Sequence, residues 1–373
     1  MNTVSSHRSP ALDIVRCTAL LCVIGVHFFL HSGFWDILIV GPRLYLFTIL
    51  RSMTTICVPL FLLLSGYLMQ NKQPNRKYYT KLLKTYGIYF LASFCNYLFT
   101  CYQSSPDLHT FHFSQMLLQT LHFQACTYAW YMDMYWGLFL LIPFLNILYH
   151  GLATQKEKQA LIFVLLLLTA LPHLTNAYSY AEGIGWVLSS SNQLRKGLLP
   201  TWWIHLYPIT YYFLGAYLHD YPLKLSRKKN ALYTLAAFLL IGTFNYAVSY
   251  GKQFQDGSWH AWGSPLVIAQ TVLFFNWVVQ GDYRRFPTRC AAVLARISEL
   301  SFGAYLVSGI FDQLFHGFLH EIQPTVVYRL SCFPVVVLAV FVCSLTLSAI
   351  LNLIYGLLAK FFTRFFCRQK VPV

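Results

Sequence analysis

Two ionisable side chains lie in the first hydrophobic segment of the chain, LDIVRCTALLCVIGVHFF. Arg16 and His27 are eleven residues apart. On a helix this separation is three turns plus about 20°, so both side chains share one face about 16 Å apart. An ionisable group inside a membrane span costs about 2.5–3.5 kcal/mol and indicates a functional site. A fixed cation can hold an anionic reactant, and an imidazole can act as a general base toward a hydroxyl.

The residues around this pair leave simpler interpretations open. Asp13 is one turn before Arg16 and is expected to pair with it and orient it, without itself being catalytic. Alternatively, Arg16 extends to the inner membrane interface and His27 only hydrogen-bonds a neighbouring helix. His31, one turn beyond His27, is a weaker candidate for the same chemistry.

The composition indicates the environment of this helix. The chain has 373 residues, 57% hydrophobic and 10% charged, whereas soluble proteins average about 25% charged residues. Apolar stretches of about 20 residues recur along the chain, and these can cross a bilayer only as helices. We therefore predict an all-α polytopic membrane protein that forms one domain over 1–373, without a fused soluble domain. About ten spans are predicted, at 12–34, 44–70, 85–102, 129–149, 159–175, 202–219, 231–250, 261–280, 298–319 and 327–358.

The distribution of Lys and Arg predicts the orientation. With the N-terminus inside, the inner loops and tails carry 20 of these residues and the outer loops carry 4. Positive charge accumulates on the cytoplasmic side, so both termini are predicted to be cytoplasmic. The net charge of +15 has the same origin, and no loop is long enough for a nucleic-acid-binding module.

Metal chemistry is not favoured by the sequence. Ten cysteines are present, mostly inside apolar segments and without a C-x-x-C pair, which is typical of small buried side chains. The thirteen histidines include no H-x-x-x-H with an acidic third ligand on one span. We predict no metal site and no bound cofactor.

Further polar residues fall in or beside the predicted spans. Arg51 lies in the second span and needs a carbonyl, carboxylate or ligand partner, unless it sits at the outer interface. Ser65 and Gly66 are at the inner end of the same span, where Gly66 allows close packing of helices. Asp133 is a candidate catalytic residue that orients His27 or an acceptor hydroxyl, or else pairs with an arginine. Glu299 and Asp312 are other acids in or at spans.

A series of motifs resembles the acyltransferase 3 family of integral membrane acyltransferases. The R-x10-H pattern of LDIVRCTALLCVIGVH resembles the family's first-helix signature, and the other segments follow in family order. They are VPLFLLLSGYLM, the basic stretch RKYYTKLLK, AWYMDMYWGLFLLIP, YYFLGAYL and SFGAYLVSGIF. The basic stretch departs from the family by carrying lysines where arginines are usual, and Ser308 replaces a late histidine.

The resemblance implies acyl transfer from a coenzyme A thioester to a hydroxyl of an envelope glycan or glycolipid, in the bacterial cytoplasmic membrane. Acetyl-CoA would then be a co-substrate. The match of the R-x10-H pattern to the family's first helix implies that His27 is the catalytic base and that Arg16 positions the donor, with help from Arg51. The phosphates of the donor would contact four basic residues after the second span. An equally good explanation is that these residues only determine the orientation of the chain in the membrane. These residues are Arg76, Lys77, Lys81 and Lys84.

Two other classes of function remain open. A transporter or flippase of a lipid-linked sugar would also place Arg, His and Asp inside the membrane, although no inverted repeat is visible in the sequence. A subunit that holds other envelope-synthesis proteins together would use the same polar groups only to join helices.

Overall fold

The computed structural model describes residues 9–179, 187–188, 198–283 and 285–368, and it is helical almost throughout. Three short 3₁₀ turns and a two-residue strand pair, Tyr178–Ser179 with Val187–Leu188, are the other regular elements in these ranges. The helices are α1 Pro10–His31, α2 Gly41–Thr54, α3 Cys57–Met69, α4 Arg76–Tyr79, α5 Lys81–Ser104, α6 Phe113–Leu121, α7 Trp130–Gly151, α8 Gln155–Thr169, α9 Pro172–Thr175, α10 Tyr207–Asp220, α11 Arg227–Ser249, α12 Pro265–Val279, α13 Thr288–Ile322, α14 Val326–Ser331 and α15 Phe333–Arg368.

Eight segments of the described chain are long and apolar enough to cross a membrane. This confirms the all-α polytopic class. The other two predicted spans, 85–102 and 202–219, are also largely helical, but α5 is less apolar and α10 has only 14 residues. The total of ten spans and the cytoplasmic termini stay predictions. The candidate spans are Pro10–His31, Gly41–Met69, Trp130–Gly151, Gln155–Thr175, Arg227–Ser249, Ser258–Val279, Thr288–Ile322 and Phe333–Phe361.

Helix α1 is central in the bundle. It contacts α2, α3, α12, α13 and α15, so its side chains meet residues from distant parts of the sequence. The outer helices instead expose large apolar side chains, such as Phe144, Phe163 and Leu240. Such exposure is expected where lipid replaces water as the solvent. A polar side chain on the buried faces of α1 therefore meets protein.

The second span is broken into α2 and α3 near its middle. Pro59 has no backbone N–H and its ring clashes with the carbonyl four residues earlier, and that residue, Thr55, lies at the break between α2 and α3. The break places Arg51 and Thr55 beside a cavity.

Helices α3 and α10 cross in close contact at two glycines. A Cβ at Gly66 would overlap the carbonyl oxygen of Tyr212, and a Cβ at Gly215 would overlap that of Leu63. Gly66 thus provides the close packing that the sequence predicts. The crossing fixes the end of α3 that carries Ser65.

Candidate active site

His27 belongs to a buried polar cluster near the C-terminal end of α1. Its ring stacks on that of Tyr128, with centroids 3.4 Å apart and planes inclined by 14°. His27 Nδ1 lies 3.7 Å from Asp312 Oδ2 of α13, and the Tyr128 hydroxyl donates a 3.0 Å hydrogen bond to the same oxygen. A carboxylate beside an imidazole can select its tautomer and stabilise the imidazolium that forms on protonation. The His27 side chain is 12% exposed, which leaves part of the ring accessible.

The cluster is held by further contacts but is not saturated with hydrogen bonds. Tyr305 donates a hydrogen bond to the Tyr128 carbonyl, and His31 Nε2 lies 2.9 Å from the Tyr128 hydroxyl. His27 Nδ1 and Asp312 Oδ1 are buried without a hydrogen-bond partner among the described residues. Catalytic hydrogen bonds are often long in a ligand-free enzyme and tighten when substrate binds. The 3.7 Å pair has the arrangement of such a base and its orienting acid.

Arg16 lies beside a cavity of about 400 Å³ near the N-terminal end of α1, which we name the Arg16 cavity. Arg16 Nη1 donates a 3.1 Å hydrogen bond to Ser298 Oγ and lies 3.7 Å from Asp13 Oδ1. This distance confirms the predicted pairing of Arg16 with Asp13, which is buried. Ser65 also lines the cavity, and its Oγ lies 3.3 Å from the Tyr135 hydroxyl. The wall therefore combines a cation with hydroxyl groups.

The basic stretch contributes to this cavity through one of its four predicted donor contacts. Lys81 lines the Arg16 cavity together with Lys72, to which the sequence assigned no chemical role. Arg76, Lys77 and Lys84 are exposed and lie outside the lining. Lys72 and Lys81 have no carboxylate at ion-pair distance within the described ranges. Two lysines without acidic partners and Arg16 make the cavity attractive to phosphate.

Arg51 does not join Arg16, contrary to the expectation that the two would hold one donor. It lies beside a second cavity of about 400 Å³, which we name the Arg51 cavity. Its Nη2 is 3.5 Å from Asp256 Oδ2, and its Nη1 donates a 2.9 Å hydrogen bond to Thr55. The prediction that this buried cation has a partner, such as a carboxylate, is confirmed. That partner, Asp256, lies in the segment before α12.

Asp133 lies in the first turn of α7, where it is exposed. The carboxylate beside His27 comes from Asp312 of α13 instead. The expectation that Asp133 orients His27 is therefore corrected, because a different helix supplies the acid. The segment just before α7 does reach the cluster, since Tyr128 provides the ring that stacks on His27.

Tyr305 of the His27 cluster and Val26, the chain neighbour of His27, line different cavities. Tyr305, which binds the Tyr128 carbonyl, lines the Arg16 cavity. Val26 lines the Arg51 cavity, and Trp262 of that cavity stacks on Trp130 with centroids 4.7 Å apart. His27 is thus linked to the wall of one cavity through its neighbour Val26 and to the wall of the other through Tyr128 and Tyr305.

Comparison with protein families identifies the chain. The model of the family described as Acyltransferase domain, the acyltransferase 3 family, matches residues 9–353. The chain belongs to this family. No curated protein and no solved structure gives a significant match. Membership supports membrane acyltransferase activity in general, and the matched region contains the His27 cluster and both cavities.

Sequence reasoning missed several residues of this site. Asp312 was noted only as an acid in a span, and Tyr128 and Ser298 were not considered. A buried acid in the middle of an apolar helix was a usable signal for Asp312. The signal could not assign its partner, because α13 and α1 are far apart in the sequence.

Proposed function

We propose that this membrane acyltransferase moves an acyl group, most simply acetyl, from acyl-CoA to a hydroxyl of an envelope glycan or glycolipid in the bacterial cytoplasmic membrane. The observation that carries the proposal is the arrangement along α1. The Arg16 cavity lies near one end of this helix, and His27 with Asp312 lies farther along it. The arrangement provides a place for a polyanionic donor and a base toward a hydroxyl.

The charge of the Arg16 cavity favours the coenzyme A moiety as its ligand. Coenzyme A carries several phosphate charges, and Arg16, Lys72 and Lys81 line the cavity. The positive-inside distribution predicts that this end of α1 faces the cytoplasm, where coenzyme A is found. The cavity also contains apolar side chains such as Phe61 and Leu64, which suit the acyl and pantetheine portions.

The proposed chemistry needs one base and one leaving thiolate. His27 removes the proton of the acceptor hydroxyl while its oxygen forms a bond to the thioester carbonyl carbon. The carbon–sulfur bond then breaks, and His27 returns the proton to the coenzyme A sulfur. The products are the acyl ester and free coenzyme A. Asp312 stabilises the imidazolium between the two proton transfers.

Radiolabelled acetyl-CoA tests this proposal in two measurements. Equilibrium binding to the purified protein in nanodiscs should be weakened about tenfold by Arg16→Gln, because a charge-assisted contact to phosphate is lost. Arg43→Gln is the matched control, since Arg43 is exposed on α2. Inside-out vesicles that contain the native acceptors should incorporate label into glycan or glycolipid, identified by mass spectrometry.

Two results would contradict the proposal. The first is an absence of acetyl-CoA binding, while the vesicles move a lipid-linked sugar across the bilayer, as a flippase would. The second is label that appears in protein or in free acetate and never in a glycan-containing molecule. A change of acyl group from acetyl to succinyl would alter the donor and leave the mechanism intact.

A further inference from the structure

The Arg51 cavity also carries charged and polar side chains in its wall, and the proposed binding of the donor in the Arg16 cavity gives them no role. It has about the same volume as the Arg16 cavity, about 400 Å³. Its wall is formed by the α2–α3 break, the start of α10 with the segment before it, and the segment that leads into α12, with one residue each from α1 and α9. Residues from five separate parts of the chain therefore meet around one space.

A connected polar network forms one wall of this cavity. The Thr55 hydroxyl accepts a hydrogen bond from Arg51 and lies 3.0 Å from His260 Nε2. His260 Nδ1 lies 3.1 Å from Asp256 Oδ1, and Arg51 lies 3.5 Å from the other carboxylate oxygen. The Arg51 guanidinium also lies 5.4 Å from the centre of the Trp35 ring. The network fixes the orientation of its polar atoms before any ligand arrives.

Two polar atoms at this cavity have no protein partner in the described part of the chain. They are Arg51 Nε and His173 Nδ1. Arg51 is 7% exposed and His173 is 8% exposed, and both side chains line the cavity. Buried polar atoms are normally hydrogen-bonded, so these two side chains keep unused hydrogen-bonding capacity beside the cavity.

The charge and the aromatic side chains define the ligand further. The Arg51 charge is compensated by Asp256, unlike the lysines of the Arg16 cavity. Trp262 and Tyr207 add aromatic side chains to the same wall. An uncharged sugar ring matches this combination, because its hydroxyls make hydrogen bonds while its C–H faces pack on aromatic rings.

We propose that the Arg51 cavity is the acceptor subsite and binds an uncharged, hydroxyl-bearing sugar ring. The inference rests on the proposed acyltransferase function, since His27 must reach a hydroxyl of the bound sugar. Val26, the neighbour of His27, lines this cavity. Arg51 is thus assigned to the acceptor and Arg16 to the donor, in separate cavities.

Saturation-transfer NMR with simple sugars tests the subsite without knowledge of the natural acceptor. The probes are the methyl glycosides of glucose, galactose, rhamnose and N-acetylglucosamine, with methyl glucuronide as the anionic comparison. The purified full-length protein in nanodiscs should transfer saturation to at least one neutral glycoside, and less to the glucuronide. Trp262→Ala and His173→Phe should each weaken binding about fivefold, through loss of a ring face and of a hydrogen bond.

Matched variants separate a local effect from damage to the fold. Trp277→Ala removes an indole near the C-terminal end of α12, away from Trp262, which precedes the helix. His122→Phe replaces an exposed histidine. Both should bind the neutral glycosides as the wild type does. The subsite is rejected if no neutral glycoside binds, if only the glucuronide binds, or if the cavity variants and matched variants behave alike.

Acetyl-CoA binding keeps this test distinct from the test of the proposed function. Trp262→Ala and His173→Phe should leave the dissociation constant for acetyl-CoA within about twofold of wild type, because the donor occupies the other cavity. If these variants lose both ligands together, the assignment of two separate subsites is wrong. If sugar binding behaves as expected but the acetyl-CoA tests fail, the cavity remains a sugar site and the acyl-transfer proposal falls.

Discussion

Replacement of Asp312 by asparagine should slow acyl transfer far more than it weakens donor binding. An asparagine at this position would keep the size of the side chain and could still accept the Tyr128 hydrogen bond, but it removes the negative charge beside His27. At 3.7 Å and an effective dielectric constant of about 20, that charge stabilises an imidazolium by about 4.5 kcal/mol. Since about 1.36 kcal/mol corresponds to a factor of ten, kcat should fall about 10³-fold.

The assay is incorporation of radiolabel from acetyl-CoA into glycan or glycolipid by inside-out vesicles that contain equal amounts of each variant. The KM for acetyl-CoA should change less than about threefold, because Asp312 does not line the Arg16 cavity. Asp107→Asn is the matched control, since Asp107 is an exposed loop acid that pairs with His109. A D312N enzyme with kcat within about threefold of wild type would refute the role of this carboxylate.

Three further outcomes follow from the same structure. Lys81→Ala should raise the KM for acetyl-CoA about tenfold with little change in kcat, and the difference should shrink at high salt, whereas Lys84→Ala should have a smaller effect because Lys84 does not line the cavity. Gly66→Ala should lower the thermal unfolding midpoint, because an added Cβ overlaps a neighbouring helix at a cost of about 1–3 kcal/mol. Burial alone would raise the pKa of Asp256, but the hydrogen bond with His260 holds this pKa below its usual value. Ionised Asp256 therefore stabilises the folded protein at pH values above its unfolded pKa. As the pH falls below about 4, thermal melts of the wild type should show the loss of this stabilisation. The Asp256→Asn protein should not show this loss.

Helical periodicity was sufficient for features that lie within one element. Arg16 and Asp13 pair as their three-residue spacing predicts. The apolar stretches predicted the helices, including α5 and α10, which are less apolar or shorter than the rest. Gly66 packs closely for the reason that its small size suggests.

Helical periodicity could not predict which residues of different helices contact each other. Arg51 and Arg16 are both intramembrane arginines, yet the α2–α3 break directs Arg51 into another cavity. Asp133 was a candidate to orient His27 or an acceptor hydroxyl, but the carboxylate beside His27 is that of Asp312 from α13. Spacing within one helix does not determine which distant helix packs against it, so these assignments required the three-dimensional structure.

The most direct test of the account is the transfer rate of His27→Ala, compared with its affinity for acetyl-CoA. Removal of the base should lower label incorporation by at least about 10²-fold, while the dissociation constant for acetyl-CoA stays within about twofold of wild type. His122→Ala should leave both quantities unchanged, because His122 is exposed and lines neither cavity. Wild-type turnover by the His27→Ala protein would show that this histidine is not the base.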